Sequence, residues 1–351
     1  MKNRAKFVAI GEVNKPGRHT WQVTFERCCR HWSIFWCLSG NGTYLICNTA
    51  KQSPEISPLS VEFPDANLTL TPEIAVTYFT SILVSDLSSN AILRFRADVG
   101  TFIDTFVNPG SGGLNGPWGL AFGIDQNLYV ASDGTSSVLR FDGSKGHFLD
   151  VFCEVASPRS LVFHLSDLYV CSSSTGMVLR FNGLTGSPRG IHTAATSFQQ
   201  PWGIVFDSRT NESFVTSQNT NRIVSVAPNS EDSFSPSKST IWSDTDIMSI
   251  AGLELTGEYV FATSPDAGSI VAGFNRTTGK YLSHFEDAAL QRPFDLKAYN
   301  NRLYVCNSGG VMVYNLSIFQ HRTGAFEDHQ GSLHIEHPDL QCAFLLIHQI
   351  N

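Results

Sequence analysis

The sixteen residues LYVASDGTSSVLRFDG from Leu128 return forty residues later as LYVCSSSTGMVLRFNG from Leu168. A chain that repeats one phrase at this period is built from one supersecondary unit that cannot bury its apolar faces alone and must stack on copies of itself. A proline-led apolar strand marks each copy: PEIAVTY from Pro72, PWGLAFG from Pro117, PRSLVFH from Pro158, PWGIVFD from Pro201, PFDLKAY from Pro293 and PDLQCAF from Pro338, with a degenerate SIAGLEL from Ser249. Consecutive copies lie 41 to 48 residues apart.

Each copy continues into a second strand: SILVSD, LYVASD, LYVCSS, SFVTSQ, YVFATS and LYVCNS. A turn rich in Gly, Asn, Asp and Ser follows, residues that tolerate tight reversals. Third strands such as AILRF and SVLRF come next, then weaker fourth strands such as FIDTFV and HFLDVF. Four antiparallel strands per unit of this length predict an all-β fold, a β-propeller of four-stranded blades.

Blade number depends on the chain ends. Six units run from Pro72 to about residue 327, which leaves PDLQCAFLLI without partners. Upstream, GTYLICN fits the second-strand pattern, and LSVEF and ANLTL can follow it. Joining these orphans predicts a seventh blade closed by the C-terminal strand, so seven blades are expected, with six as the alternative. The propeller then spans residues 42–351, with repeats best defined over 72–317. Residues 1–41 form an N-terminal extension in which KFVAIGEV and HTWQVTF flank NKPG as a hairpin. WSIFWCLSG from Trp32 is the one stretch there resembling the apolar part of a targeting segment.

Composition narrows the partners. Charged residues are 16% of the 351, and the net charge is −7. Phosphate-backbone binding depends on Lys and Arg, so nucleic acid is disfavoured. No apolar run is long enough to cross a membrane as a helix. A soluble monomer is expected, cytoplasmic or secreted. The eight cysteines do not read as a disulfide framework. Cys47, Cys171 and Cys306 occupy a strand position where other copies carry Ala or Thr, and are expected to be buried core thiols. Cys28, Cys29 and Cys37 near His31 lack a paired CxxC, and the histidines between His321 and His348 lack a ligand spacing. Five sequons occur, at Asn41, Asn67, Asn211, Asn275 and Asn315, a number that an Asn-, Ser- and Thr-rich chain produces by chance.

The unit PWGLAFGIDQNLYVASDGTSSVLRFDG resembles the NHL-type repeat, and more loosely the propellers of streptogramin lyase and gluconolactonase. The Pro-x-Gly openings at Pro117 and Pro201, the LYV strands at Leu128, Leu168 and Leu303, and Asn221-Arg222-Ile223 carry the resemblance. It implies a binding platform for protein or RNA, and the acidic balance disfavours RNA. Enzymes on related propellers use metal-binding carboxylates and Asn, or a His with a carboxylate, around the channel. No such set maps onto this chain residue by residue, and the positions of His164 and His192 imply no shared site.

With the resemblance's strand order, the residues after each proline gather at the mouth of the central channel. The candidate ligand-binding residues are therefore Glu73, Trp118, Asp133, Arg159, Trp202, Phe294 and Asp295, with Asp86 nearby. The two tryptophans either anchor a ligand or pack between blades, and Asp86 and Asp133 either face a ligand or satisfy turn amides. The expected function is a non-catalytic platform for a protein, small-molecule or glycan ligand, without a cofactor. The alternative is a metal-dependent hydrolase or lyase with a divalent ion such as calcium in the channel.

Overall fold

The computed structural model describes residues 80–193, 199–227, 239–242, 247–266, 268–316, 333–335, 337 and 340–349, and the backbone of four strands between residues 7 and 47. The chain divides into two compact units, Met1–Tyr78 and Phe79–Asn351. In the first unit Phe7–Glu12, Thr20–Phe25, Ser33–Ser39 and Gly42–Cys47 pair in sequence order as an antiparallel sheet.

The second unit contains six four-stranded antiparallel sheets among its described residues. Blade I comprises Thr80–Asp86, Ala91–Arg96 and Phe102–Val107, with Cys342–Gln349 from the C-terminus as its innermost strand. Blade II runs through Pro117–Phe122, Leu128–Ser132, Ser137–Phe141 and Phe148–Glu154, and blade III through Pro158–His164, Asp167–Ser172, Met177–Asn182 and Pro188–Thr193. Blade IV is Pro201–Phe206, Ser213–Ser217, Arg222–Val226 and Ser239–Trp242. Blade V is Leu253–Thr256, Tyr259–Ser264, Ile270–Asn275 and Tyr281–Glu286. Blade VI is Asp295–Tyr299, Arg302–Asn307, Gly310–Asn315 and Leu333–Ile335. The innermost strands touch in the cyclic order I, II, III, IV, V, VI and back to I, which makes the fold a closed propeller.

The seven-blade expectation is corrected to six. The C-terminal strand does close a blade, but its partner is Thr80–Asp86, while Gly42–Cys47 pairs with Ser33–Ser39 in the other unit. LSVEF, ANLTL and PEIAVTY lie outside the described residues. The closing strand is also offset from its proline: Cys342 opposite Asp86 takes the place that Pro117 takes opposite Ser132.

Burial explains the graded clarity of the repeat. Second strands such as Leu128–Ser132 and Ser213–Ser217 are buried at every position, because neighbouring blades cover both faces. Fourth strands such as Phe148–Glu154 are largely exposed and need less apolar sequence. Glycine permits the close approach of inner strands near the axis: a Cβ on Gly119 would lie 2.5 Å from the Arg159 carbonyl oxygen.

Two cysteine expectations separate here. Cys171 is a buried free thiol whose pKa burial raises. Cys306 is instead disulfide-bonded to Cys342, with Cα atoms 5.5 Å apart. The bond joins the second strand of blade VI to the closing strand of blade I, so it locks the ring where the chain ends meet. Cys28, Cys29 and His31 lie outside the described residues.

Candidate functional site

In blades II to VI one backbone position just ahead of the inner strand, before the proline or the residue that replaces it, positions the mouth. Gly116, Ser157, Gln200, Ser249 and Arg292 all have φ between 45° and 60°, and four of these five are not glycine. Such left-handed backbone costs a non-glycine residue about 1 kcal/mol or more and persists where surrounding structure enforces it. The enforcing contacts come from the preceding blade. Side-chain oxygens of Asn90, Asn221 and Ser269 accept the backbone N–H of Gly116, Ser249 and Arg292, at 2.6, 2.6 and 3.1 Å. Asn221, part of the repeat motif, is thus an inter-blade tie.

A β-bulge follows at Pro117/Leu120, Pro158/Leu161, Pro201/Ile204 and Cys342/Phe344. Bulges re-aim side chains. Here the re-aimed residues are Trp118, Arg159, Trp202 and Ala343, which with Ala251 and Phe294 make one position per blade around the axis. Trp118, Trp202, Ala251, Phe294 and Ala343 share one buried cluster. Given the ring order, each indole faces an alanine, Trp118 opposite Ala251 and Trp202 opposite Ala343. This large-to-small pairing lets two tryptophans fill one axis.

The aromatic rings meet edge to face or stacked: Trp118–Trp202 centroids are 4.9 Å apart, Trp118–Phe294 5.7 Å and Trp202–Phe294 6.2 Å. Trp118 is 9% exposed and Trp202 7%, so packing dominates over presentation. The Arg159 guanidinium lies over both indoles, 4.4 Å from the Trp118 ring centroid and 4.8 Å from that of Trp202. Its Nη1 is 3.2 Å from Asp133 Oδ2, an ion pair without hydrogen-bond geometry, since Nε and Nη1 are both buried with no hydrogen-bond partner. Trp202 Nε1 is likewise buried without an acceptor. Burial lowers the Arg159 pKa while Asp133 opposes the shift, and a guanidinium stays charged regardless. Arg292, 64% exposed at its side chain, lies over Phe294 at the same end.

Of the predicted mouth residues, Trp118, Asp133, Arg159, Trp202 and Phe294 are brought together. Glu73 lies outside the described residues. Asp86 serves its turn: Oδ1 accepts from the N–H groups of Ser88 and Gln341, and Oδ2 from that of Ser89. Asp295 sits one residue past the mouth ring, 1% exposed, where Oδ2 accepts the Leu345 N–H at 3.3 Å.

Asp295 belongs to a charged trio that the sequence reading missed. Lys297 Nζ is 3.4 Å from Glu254 Oε2 and 3.7 Å from Asp295 Oδ1. The signal was present: Glu254 and Lys297, each opposite an aromatic residue of the second strand, occupy the position held by Ala121, Val162 and Val205 in other blades. Burial raises the Asp295 carboxyl to about 6 and raises Glu254 too. Burial alone would lower Lys297, but the two carboxylates lift it above its ordinary value, so it is a firm cation. Replacing Lys297 with Met leaves two carboxylates facing each other without their cation. We expect it to cost about 3–5 kcal/mol in urea unfolding at pH 7.5, the range for breaking a buried pair. The penalty should shrink below pH 6, where the raised carboxyls take up protons in the folded state. A pH-independent loss would mean that the trio contributes packing alone.

His164 and His192, whose positions in the sequence imply no shared site, have their rings in one aromatic cluster. Both rings lie against Phe206 of blade IV, at 4.1 and 5.7 Å, and Tyr169 of blade III's second strand packs on both His192 and Phe206. His192 Nε2 is 2.8 Å from Ser213 Oγ, but Ser213 is fully buried, and burial lowers His192 to about 4, so the pair is a neutral structural contact. Among the described residues no three His, Cys, Asp or Glu side chains are grouped so as to hold a metal ion, and no helix is long and apolar enough to cross a membrane.

The closed ring of four-stranded sheets defines the chain as a β-propeller, and solved structures agree. A nidogen/laminin complex contains a chain that superimposes with a TM-score of 0.62 at 17% identity, over 76% of this chain and 98% of that one. A putative 6-phosphogluconolactonase from Bacteroides fragilis superimposes with a TM-score of 0.52 at 13% identity, over 79% and 99%. Identities this low establish the fold alone. No protein-family model matches the sequence, and no curated protein matches it.

Proposed function

We propose that this chain is a non-catalytic propeller that binds a protein through the mouth end, where Arg159 lies between Trp118 and Trp202. The observation that carries the proposal is the set of unmatched donors there: Arg159 Nε and Nη1 and Trp202 Nε1 are buried with no hydrogen-bond partner. Each such donor costs about 1–3 kcal/mol in the free protein, and the Arg159 side chain, 17% exposed and ion-paired among the described residues only with Asp133, leaves positive charge at the mouth to attract a carboxylate. Exposed Arg292, 3.8 Å from Asp266, adds a second cation at the rim, so the surface suits an acidic segment of a protein, while the net charge of −7 disfavours a nucleic acid. The Pro-x-Gly openings and the Asn221 tie support an NHL-like relationship, in which binding platforms are common. The propeller neighbour solved with a protein partner supports the same direction.

The alternative, a hydrolase or lyase using a divalent ion in the channel, draws support from Glu254 and Asp295 converging on inner strands, and from the lactonase-like neighbour. Lys297 between the carboxylates weighs against it, since it already neutralises the charge a cation would need.

Panning a displayed random-peptide library on the full chain tests the proposal. Selected peptides should carry Asp, Glu or a terminal carboxylate near their centre. Arg292→Glu, a change at an exposed residue, should weaken them about tenfold or more, equivalent to about 1.4 kcal/mol, while Lys280→Glu at the opposite end leaves them unchanged. Binders indifferent to Arg292→Glu would remove the mouth from consideration. A divalent ion that raises the melting temperature, reversed by a chelator, would favour the alternative.

A further inference from the structure

The two ends of the propeller differ in one respect that the mouth does not explain. At the mouth end lie the starts of the inner strands and the turns between second and third strands. At the far end lie the turns joining first to second and third to fourth strands. All three sequon asparagines among the described residues fall at the far end. Asn211 lies in the turn from Pro201–Phe206 to Ser213–Ser217, Asn275 ends Ile270–Asn275, and Asn315 ends Gly310–Asn315. Asparagine itself is not confined there: Asn90, Asn108, Asn115, Asn219, Asn221 and Asn307 cluster at the mouth end, none within a sequon.

The geometry points to Asn211, Asn275 and Asn315 as acceptors of N-linked glycans that decorate the far rim of the propeller. Asn211 and Asn315 are exposed and Asn275 half-exposed. The turn at Asn275 is held through Oδ1, which accepts the N–H groups of Thr277 and Thr278 at 3.1 and 2.9 Å. Asn315 Oδ1 accepts from Asn301 Nδ2 at 3.2 Å, beside a polar cleft of about 320 Å³. At Asn275 the hydrogen bonds use the oxygen and not Nδ2, the atom to be modified. An independent observation places the chain in a compartment where the reaction occurs: the Cys306–Cys342 disulfide closes the ring, and structural disulfides belong to oxidising, secretory environments.

The transfer requires a sugar donor carried on a lipid diphosphate. A bond forms between Asn Nδ2 and the anomeric carbon, the bond from that carbon to the diphosphate oxygen breaks, Nδ2 loses a proton, and the lipid diphosphate leaves. At Asn211 the order of events is dictated by burial. The sequon hydroxyl, Ser213 Oγ, is fully buried and 2.8 Å from His192, so the sequon is legible only before blade IV folds, after which the exposed Asn211 carries the glycan outward.

The test uses the protein isolated by antibody from the cells that make it. Peptide mapping before and after treatment with a peptide N-glycosidase, which hydrolyses the glycosylated side-chain amide, in heavy-oxygen water should show Asn-to-Asp conversion with label at two or more of positions 211, 275 and 315. The same map without reductant should show the Cys306 and Cys342 peptides linked. Label at one position or none, or free Cys306 and Cys342 thiols, would overturn the proposal. Neither result depends on what the mouth binds.

Discussion

Removing residues 341–351 is expected to abolish cooperative unfolding. Those residues hold the innermost strand of blade I, in which Cys342, Ala343, Phe344 and Leu345 are at most 3% exposed. Its loss strips the edge of Thr80–Asp86, leaves Asp295 without the Leu345 N–H and Asp86 without that of Gln341, and removes the disulfide partner of Cys306. Truncating a single buried Phe or Leu to Ala costs about 2–5 kcal/mol. Deleting the strand sums several such losses against a total stability on the order of 5–15 kcal/mol. The inner strands of blades II and VI also lose the neighbour that closes the ring, exposing an apolar sheet edge prone to aggregation. Circular dichroism melts and size-exclusion chromatography should show no sharp transition and soluble aggregates. A monomer melting like the full chain would mean that the ring closes elsewhere. Cys342→Ala alone isolates the covalent part, and chain entropy for a loop of 36 residues sets it at roughly 4 kcal/mol.

Trp118→Ala and Trp202→Ala should each cost about 3–5 kcal/mol of stability, as truncations of buried aromatics do. Each ring packs on the other, on Phe294 and beneath the Arg159 guanidinium. Losing one indole opens a cavity on the axis opposite an alanine too small to fill it. It also removes one cation–π face, about 0.5–2 kcal/mol, from a half-buried charge. Because the rings touch, the double variant should lose less than the sum of the singles. Urea unfolding of the four proteins reads both effects. Losses below about 1 kcal/mol, with weakened partner binding, would instead make the tryptophans exposed hot-spot anchors.

Several parts of this arrangement were legible as residues. The period of proline-led strands and LYV strands specified four-stranded blades, because a strand covered on both faces must be apolar throughout. Trp118, Arg159, Trp202 and Phe294 were legible as neighbours because each follows the same proline in its repeat. Glu254 and Lys297 were hidden, since each is one charged residue in a degenerate or apolar strand and acquires meaning only from the adjacent blade. Cys306 was misread for a related reason: it occupies a position where Ala and Thr also fit, and nothing local distinguishes a thiol facing a core from one facing Cys342.

The sequence by itself determined the repeated unit, its strand order and the kind of residue at each blade's axis position, all set by contacts within a span of about 45 residues. Tertiary structure alone decided how the ring closes, with six blades and a C-terminal strand paired to Thr80–Asp86, and which of two identical-looking edges that strand would take. It also decided that two tryptophans could share one axis, because the alanines opposite them come from blades V and I. The physical reason is separation along the chain. A repeat writes its local hydrogen bonds into every copy, whereas closure, cross-axis packing and the disulfide join residues far apart along the chain or in different blades, and their partners are chosen only when the ring assembles.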